Sequence, residues 1–510
     1  MTMRSHAVAL DFSAVVNSIG MAGGPGFGAG ICPAPPTDFV PMLGCTDPAS
    51  PGYGNYRCTA DGSIVVWIPA FLYRMNDPRN AAYSQWGVNS VDVLPMQAYP
   101  DITAANADGF ALHRAFYNAG QQQPGFFIDK YLCSRNGSVA SSIRLGAPLS
   151  TAAAHNPLSS LSASIPNNYS GVFAAAKTRG GRWMPAMRWM HTALALLTLA
   201  HLQASSSPTW CAWWTADGAG QPRGCNNNAN LNDTADTTVR WRADGYNGMA
   251  ALTGSGSPVA KTTHNGQACG VVDLNGNMWE VSPGVTCIAT TKAITGVTLG
   301  NPLRLSIPSH GRATGEYMLT TGVVGTTQIN NRMWRITVVD ANTVSLDGCD
   351  GSAFTAWTSG GSAAFGKWYA LRTDIDASAL AGGNTLASDA FGATGVAAHS
   401  TEVVPVWRTD YPNNSADRYL SSAAQVVPSA TSGAGWVAAA CGFVANANSL
   451  AAGGAPFGGD FVYQYIVNEL VPLAGGAWSN GSGAGVWAVH WINARTNSTD
   501  SVGFRAASYL

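Results

Sequence analysis

The sequence predicts an α+β fold in which many short strands surround one buried helix. The chain has 510 residues, of which 46 % are hydrophobic, enough to bury a sizeable core. Its 58 glycines and 27 prolines imply many turns. Short β-type runs at 62–75 and 125–134 contrast with the apolar-periodic segment 179–203, where we expect a helix whose first turn contains Pro185.

The low charge of the chain excludes some classes of partner. Charged residues make up only 11 % of the chain, and the formal net charge is −1. Such a chain lacks the excess of positive charge that binds nucleic acid or an anionic membrane. The apolar part of the predicted helix, 189–202, is too short to span a bilayer. We therefore expect no nucleic-acid partner and no membrane insertion, and an extracellular or virion protein rather than a cytosolic enzyme.

Composition divides the chain into three parts. Residues 1–60 are rich in Gly and Pro and predict an N-terminal arm that either attaches to a larger assembly or wraps its own domain. Residues 290–361 show short strands separated by turn signals and no helical pattern. We predict that they form a small all-β module, inserted into one domain made of 61–289 and 362–510.

The ten cysteines contain no C-x-x-C pair, which argues against zinc knuckles and thioredoxin-like chemistry. Plain buried thiols are expected instead. The N-terminus lacks a clean apolar run, so we expect no signal peptide.

The most informative string is GVVDLNGNMWEV, at 270–281. A strand, an Asn275-Gly276 turn and a second strand would explain part of it. Together with RGGRWMPAMRW upstream and the GFR string near the C-terminus, it resembles the formylglycine-generating-enzyme type of C-type-lectin-like fold. The residues that carry this resemblance are Gly276, Asn277, Met278, Trp279, Glu280, Gly503, Phe504 and Arg505.

Three segments, 222–230, 270–281 and 473–508, are similar to the variable proteins of diversity-generating retroelements. In that family, adenine-directed mutagenesis rewrites codons of the C-terminal segment, which binds a ligand. The rewritten codons cannot encode Lys, Glu, Gln or Met, and residues 478–501 contain none of these. The resemblance implies these variable, ligand-binding positions: Ser479, Asn480, Gly483, Ala488, His490, Ile492, Asn493, Thr499, Asp500 and Ser501.

The string VWAVHWIN, at 486–493, alternates in a way that predicts a strand. Odd-numbered residues from Trp487 to Trp491 would point into the core. Even-numbered residues from Ala488 to Ile492 would face the ligand. The expected fixed scaffold beneath the face is Trp478, Trp487, Trp491, Phe504 and Arg505.

The same resemblance implies that a structural calcium ion can bind near the Trp-Glu pair, although no cofactor is required. The ligands would be the Asp273 side chain, the Gly276 and Met278 carbonyls and the Glu280 carboxylate. Oxygen ligands of this kind suit calcium. The alternative is that Glu280 forms a salt bridge or caps backbone amides without an ion.

Enzymatic activity is not expected. Members of the resembled family that oxidise cysteine bind copper through a cysteine pair in the terminal segment. Here the last cysteine is Cys441, and 442–510 contains none, so the thiolate ligands are lacking. The sequence also lacks H-E-x-x-H, G-x-S-x-G and P-loop motifs.

The inserted module is similar to a small β-barrel-like module of ubiquitin-activating enzymes that recurs in phage structural proteins. This favours a phage tail receptor-binding protein that recognises a host-surface protein or glycan. Its N-terminal region would contact other tail proteins. The protein would form a homo-oligomer, with a trimer favoured. It would be assembled in the host cytoplasm and would then be part of the virion. The alternatives are a prophage- or cell-encoded display protein of the same fold and, less favoured, an enzyme of the formylglycine-generating type.

Overall fold

The computed structural model describes residues 19–214, 238–241, 250–256, 259–274, 276–380, 382–383, 399–405, 409, 418–420, 431–443, 450–452 and 460–510. Residues 1–18 of the predicted arm, the string at 222–230, Cys225 and Asn275 lie outside the described residues.

Strands outnumber helices, and the predicted α+β class is confirmed. The α-helices are α1 (Tyr83–Trp86), α2 (Ile102–Ala107), α3 (Tyr169–Lys177), α4 (Arg188–Ala204) and α5 (Gly433–Cys441). The strands are β1 (Phe39–Pro41), β2 (Asn55–Cys58), β3 (Ile64–Pro69), β4 (Phe71–Met75), β5 (Val91–Pro95), β6 (Ala111–Leu112), β7 (Tyr117–Asn118), β8 (Gln121–Gln122), β9 (Gly125–Asp129), β10 (Cys133–Asn136), β11 (Val139–Ser142), β12 (Met184–Pro185), β13 (Trp279–Val281), β14 (Val285–Ala293), β15 (Gly296–Thr298), β16 (Arg304–Ser306), β17 (Tyr317–Thr321), β18 (Arg332–Asp340), β19 (Thr343–Leu346), β20 (Ser362–Leu371), β21 (Ser400–Val403), β22 (Arg418–Leu420), β23 (Leu450–Ala452), β24 (Val462–Gln464), β25 (Leu470–Ala474), β26 (Val489–Ala494), β27 (Val502–Gly503) and β28 (Ala506–Ser508).

Helix α4 is the central helix of the core. Every residue from Arg188 to Leu202 is buried, as the apolar pattern predicts. The expectation that Pro185 lies in the first helical turn is wrong, because Pro185 belongs to β12 and pairs with Ala506 of β28. Within the described ranges, no helix has both the length and the apolar character needed to cross a bilayer.

A six-stranded sheet with the order β1-β2-β3-β9-β28-β12 joins the two ends of the described chain. Strands β1 and β2 come from the segment predicted as an arm, and Phe27 and Tyr53 from that segment are buried. From residue 19 onward, this segment therefore packs on its own domain. Strand β28 lies between β9 and β12, so the C-terminal residues are also part of the sheet.

An eight-stranded sheet contains the segment predicted as an inserted module. Its order is β14-β20-β17-β18-β19-β16-β15, and β21 also pairs with β20. Residues between Ile294 and Phe365 form a second hydrophobic core, which includes Leu305 and Ile336. Strands β14 and β20 pair along their whole length and connect this core with the rest of the domain.

The cysteines in the described part of the chain are all buried and free, which confirms the expectation of plain buried thiols there. Burial raises the pKa of the Cys211 and Cys441 thiols to about 12 in each case. These thiols are therefore protonated at neutral pH and chemically unreactive.

Candidate binding face

A five-stranded sheet brings the C-terminal segment beside the Trp-Glu string. Its order is β24-β26-β25-β13-β27. Strand β13 pairs in parallel with β27, so that Trp279 lies opposite Val502 and Glu280 opposite Gly503. The two strings that suggested the resemblance are thus neighbours in space.

Strand β26 alternates between buried and half-buried residues. Val489, Trp491 and Asn493 are buried, whereas His490 and Ile492 are half-buried on the other face. The predicted inward direction of the tryptophan residues is confirmed, since Trp491 is 1 % exposed. A period of two produces this pattern because successive side chains of a strand point to opposite faces.

The predicted outward orientation of Ala488 is wrong, and Gly483, predicted only as a variable position, also lies before the strand. Ala488 is fully buried, because a turn in which its N–H donates to the Gly485 carbonyl at 3.0 Å interrupts the alternation. Gly483 is also buried, and a Cβ atom there would lie 2.3 Å from the Phe461 ring. Neither position can present a larger side chain without repacking.

A third position, Asn493, is only 8 % exposed and is engaged within the segment. Its Nδ2 donates to His490 Nδ1 at 2.6 Å, and its Oδ1 accepts from Asn497 Nδ2 at 2.9 Å. Asn493, predicted as a variable position, therefore orients His490 from the buried side of the strand.

His490 lies at the centre of an aromatic cluster. Its ring stacks on Trp279 with centroids 5.1 Å apart and meets the edge of Tyr463 at 4.5 Å. Burial lowers the pKa of His490 to about 3, so the imidazole is neutral at physiological pH. Its Nδ1 can then accept the Asn493 hydrogen bond.

Tyr463 and the half-buried Phe461 and Tyr465 were not predicted as part of the face. They follow one another at every second position, with Tyr463 in β24 and Phe461 and Tyr465 directly before and after it, and Tyr463 lies opposite His490. The period-two aromatic pattern at 461–465 is the sequence signal that could have identified them.

The remaining predicted positions lie on turns at the surface. Ser479 is exposed and Asn480 is half-buried, with Asn480 Oδ1 accepting from Ala477 N at 2.8 Å. This turn reaches the Trp-Glu string, because Trp478 N donates to the Asn277 carbonyl at 3.2 Å. Thr499, Asp500 and Ser501 are half-buried and precede β27.

The predicted scaffold residues are all buried, and their role as a fixed scaffold stays a prediction. They are Trp478, Trp487, Trp491, Phe504 and Arg505. The Trp487 N–H donates to the carboxylate of Asp460 at 2.9 Å, and Asp460 is itself fully buried. This carboxylate fixes the turn before β26 through the main chain.

The calcium ligands expected from the resemblance do not fit that role here. Both Glu280 oxygens accept hydrogen bonds from Arg505, at 2.5 Å from Nε and 2.8 Å from Nη2. Arg505 Nη2 also donates to the Val272 carbonyl, and Asp273 Oδ2 accepts from Gly254 N. A guanidinium already neutralises the Glu280 carboxylate, which corresponds to the salt-bridge alternative. Across the described residues, no group of three His, Cys, Asp or Glu side chains is arranged to hold a metal ion.

No protein-family model and no curated protein matches this chain. The residues of the candidate binding face provide aromatic rings, amides, hydroxyl groups, an aliphatic side chain and the Asp500 carboxylate. Such a surface can form ring-stacking, apolar and hydrogen-bond contacts with a ligand.

Proposed function

We propose that this chain is a non-enzymatic ligand-binding protein with a C-type-lectin-like fold of the formylglycine-generating-enzyme type. Its ligand-binding surface is the face formed by His490, Ile492 and the turn at 499–501, with Tyr463 at its edge. The protein acts as a receptor-binding protein of a phage tail, and its ligand is a protein or glycan of the host surface.

The division of β26 into two faces is the observation that carries this proposal. Buried Trp491 and Val489 anchor the strand, while His490 and Ile492 emerge on the opposite face. Side chains on such a face can be exchanged without disturbing the packed layer beneath it. A surface that is rewritten between sister copies requires this separation.

The meeting of the two diagnostic strings supports the proposed fold. Gly276–Glu280 and Gly503–Arg505 are far apart in the sequence, yet β13 pairs with β27 and Glu280 binds Arg505. The predicted homo-oligomer, the attachment to other tail proteins and the location in the virion remain parts of the proposal. Many copies on one virion would raise a weak affinity per site through avidity.

The coding DNA provides the test of diversification. The neighbouring DNA should contain a near-copy of the stretch that encodes 478–508, together with a reverse transcriptase gene. Differences between the two copies should occur almost only where the near-copy has adenine, and should affect codons such as those of His490 and Ile492. A genome that lacks this near-copy would remove diversification from the proposal.

A further inference from the structure

Thr151 lies in the loop after β11 and contacts the C-terminal turn at 498–502. It is only 1 % exposed. Its Oγ1 accepts a hydrogen bond from the Thr499 N–H and donates one to the Thr499 carbonyl, each at 3.0 Å. The Thr151 N–H also donates to the Val502 carbonyl at 2.9 Å. One buried residue therefore holds the turn at two points.

These contacts reach the turn through its main chain. From β13, the Trp279 N–H also donates to the Ser501 carbonyl at 2.8 Å. None of these bonds uses the side chains of Thr499, Asp500 or Ser501. The turn also has bonds of its own side chains: Thr499 Oγ1 accepts from Ser501 N at 3.1 Å and pairs with Ser501 Oγ at 2.8 Å, and Ser498 Oγ donates to the Thr151 carbonyl. The main-chain bonds to Thr151 and Trp279 are the ones that remain available when these half-buried side chains change.

We propose that Thr151 is a positioning residue for the candidate binding face, which holds the turn at 499–502 in one conformation while its side chains vary. The inference rests on the proposed function, because positioning matters for recognition only if the turn belongs to a ligand-binding surface. It also extends the site to a residue outside all the sequence motifs.

The hydroxyl group is the essential part of Thr151. A hydroxyl offers one donor and two acceptor sites, so it can bond the N–H and the carbonyl of Thr499 at once. Valine has nearly the same shape but provides neither bond, whereas serine keeps both. The pair T151V and T151S therefore separates hydrogen bonding from packing.

The test compares the full-length protein with T151V, T151S and D500A by residue-resolved hydrogen–deuterium exchange and by thermal unfolding. In T151V, the Thr499 amide should exchange at least about tenfold faster, because a half-buried N–H loses its acceptor. In T151S and D500A, exchange at Thr499 should stay within about threefold of the parent protein. Helix α4 should remain equally protected in all four proteins.

Several results would overturn the proposal. Exchange at Thr499 could be unchanged in T151V, or raised equally by T151S, which would make packing the cause. An equal effect of D500A, whose side chain takes no part in the bonds named above, would mean that any change of side chain loosens the turn. Faster exchange throughout T151V, or its failure to fold, would make Thr151 a general core residue. Because no ligand is used, each of these results leaves the binding proposal itself standing, and that proposal is tested separately by the coding DNA.

Discussion

Arg505 and Glu280, 225 positions apart, form an ion pair in the core with two hydrogen bonds of 2.5 and 2.8 Å. Both side chains are at most 1 % exposed. Arg505 also donates to the carbonyls of Asp129 and Val272, so one guanidinium connects β9, the Trp-Glu string and the C-terminal strands.

Removing the Glu280 charge should be costly. The substitution Glu280→Gln leaves the Arg505 charge buried without its carboxylate, and we expect a loss of about 3–5 kcal/mol in unfolding free energy. Urea unfolding measures this loss. The control is Glu402→Gln, which breaks the exposed Lys367–Glu402 pair at 3.5 Å. That control should cost less than about 1 kcal/mol. Equal costs for the two variants would show that the buried pair does not anchor the fold.

Gly483 should not tolerate a side chain, although the resemblance places it among the variable positions. Gly483→Ala brings a methyl group against the Phe461 ring and should cost about 1–3 kcal/mol through overpacking. Ser479→Ala, at an exposed position, should change stability by no more than about 0.5 kcal/mol. Thermal unfolding distinguishes the two. Equal stability of both variants would mean that Gly483 can act as a variable position.

Acid should destabilise the protein through its buried histidines. Burial lowers the pKa of His201 to about 4 and of His264 to about 3. Their pKa in the unfolded chain is about 6.5, so the unfolded state binds protons first as the pH falls. The stability these groups provide is therefore present above about pH 6.5 and lost below it, at up to about 1.4 kcal/mol per pH unit for each histidine.

The His264 contribution can be isolated by the variant His264→Phe. In the parent protein, His264 Nδ1 accepts from Val271 N at 3.1 Å and Nε2 bonds the Gly28 carbonyl, an arrangement that needs the neutral ring. Between pH 6.5 and 4.5, the unfolding free energy of the variant should depend on pH less steeply than that of the parent protein. The difference in slope should correspond to the uptake of about one proton on unfolding. An unchanged slope would show that His264 does not titrate on unfolding.

The sequence predicted those parts of the face that depend on local periodicity. Alternation along β26 correctly placed Trp491 inward and His490 on the opposite, half-buried face, because a period of two is a property of the strand itself. The same pattern failed at Ala488, since a turn that depends on the Gly485 carbonyl precedes the strand. Periodicity gives the phase of a strand but not the residue at which it begins.

Other features depended on contacts between distant residues and could not be read from the sequence. Pro185 is compatible with a helix start, yet pairing with Ala506 places it in a strand. Gly483 resembles an ordinary turn glycine until Phe461 is seen beside it. The role of Thr151 depends on contacts with Thr499 and Val502, and no local pattern indicates such a pairing.

The central claim is that one face of the C-terminal sheet binds ligands, and a display library tests it most directly. Codons for His490, Ile492, Asp500 and Ser501 are randomised on the otherwise unchanged full chain. The matched control library randomises the exposed positions Arg335, Thr337, Val339 and Asp340 of strand β18, in the segment predicted as an inserted module. Both libraries are selected against the same panel of purified bacterial surface glycans and proteins. We predict specific binders from the first library, with melting temperatures close to that of the parent, and none from the control. The claim would be contradicted if both libraries gave binders at equal frequency. It would also be contradicted if most variants of the first library were unfolded.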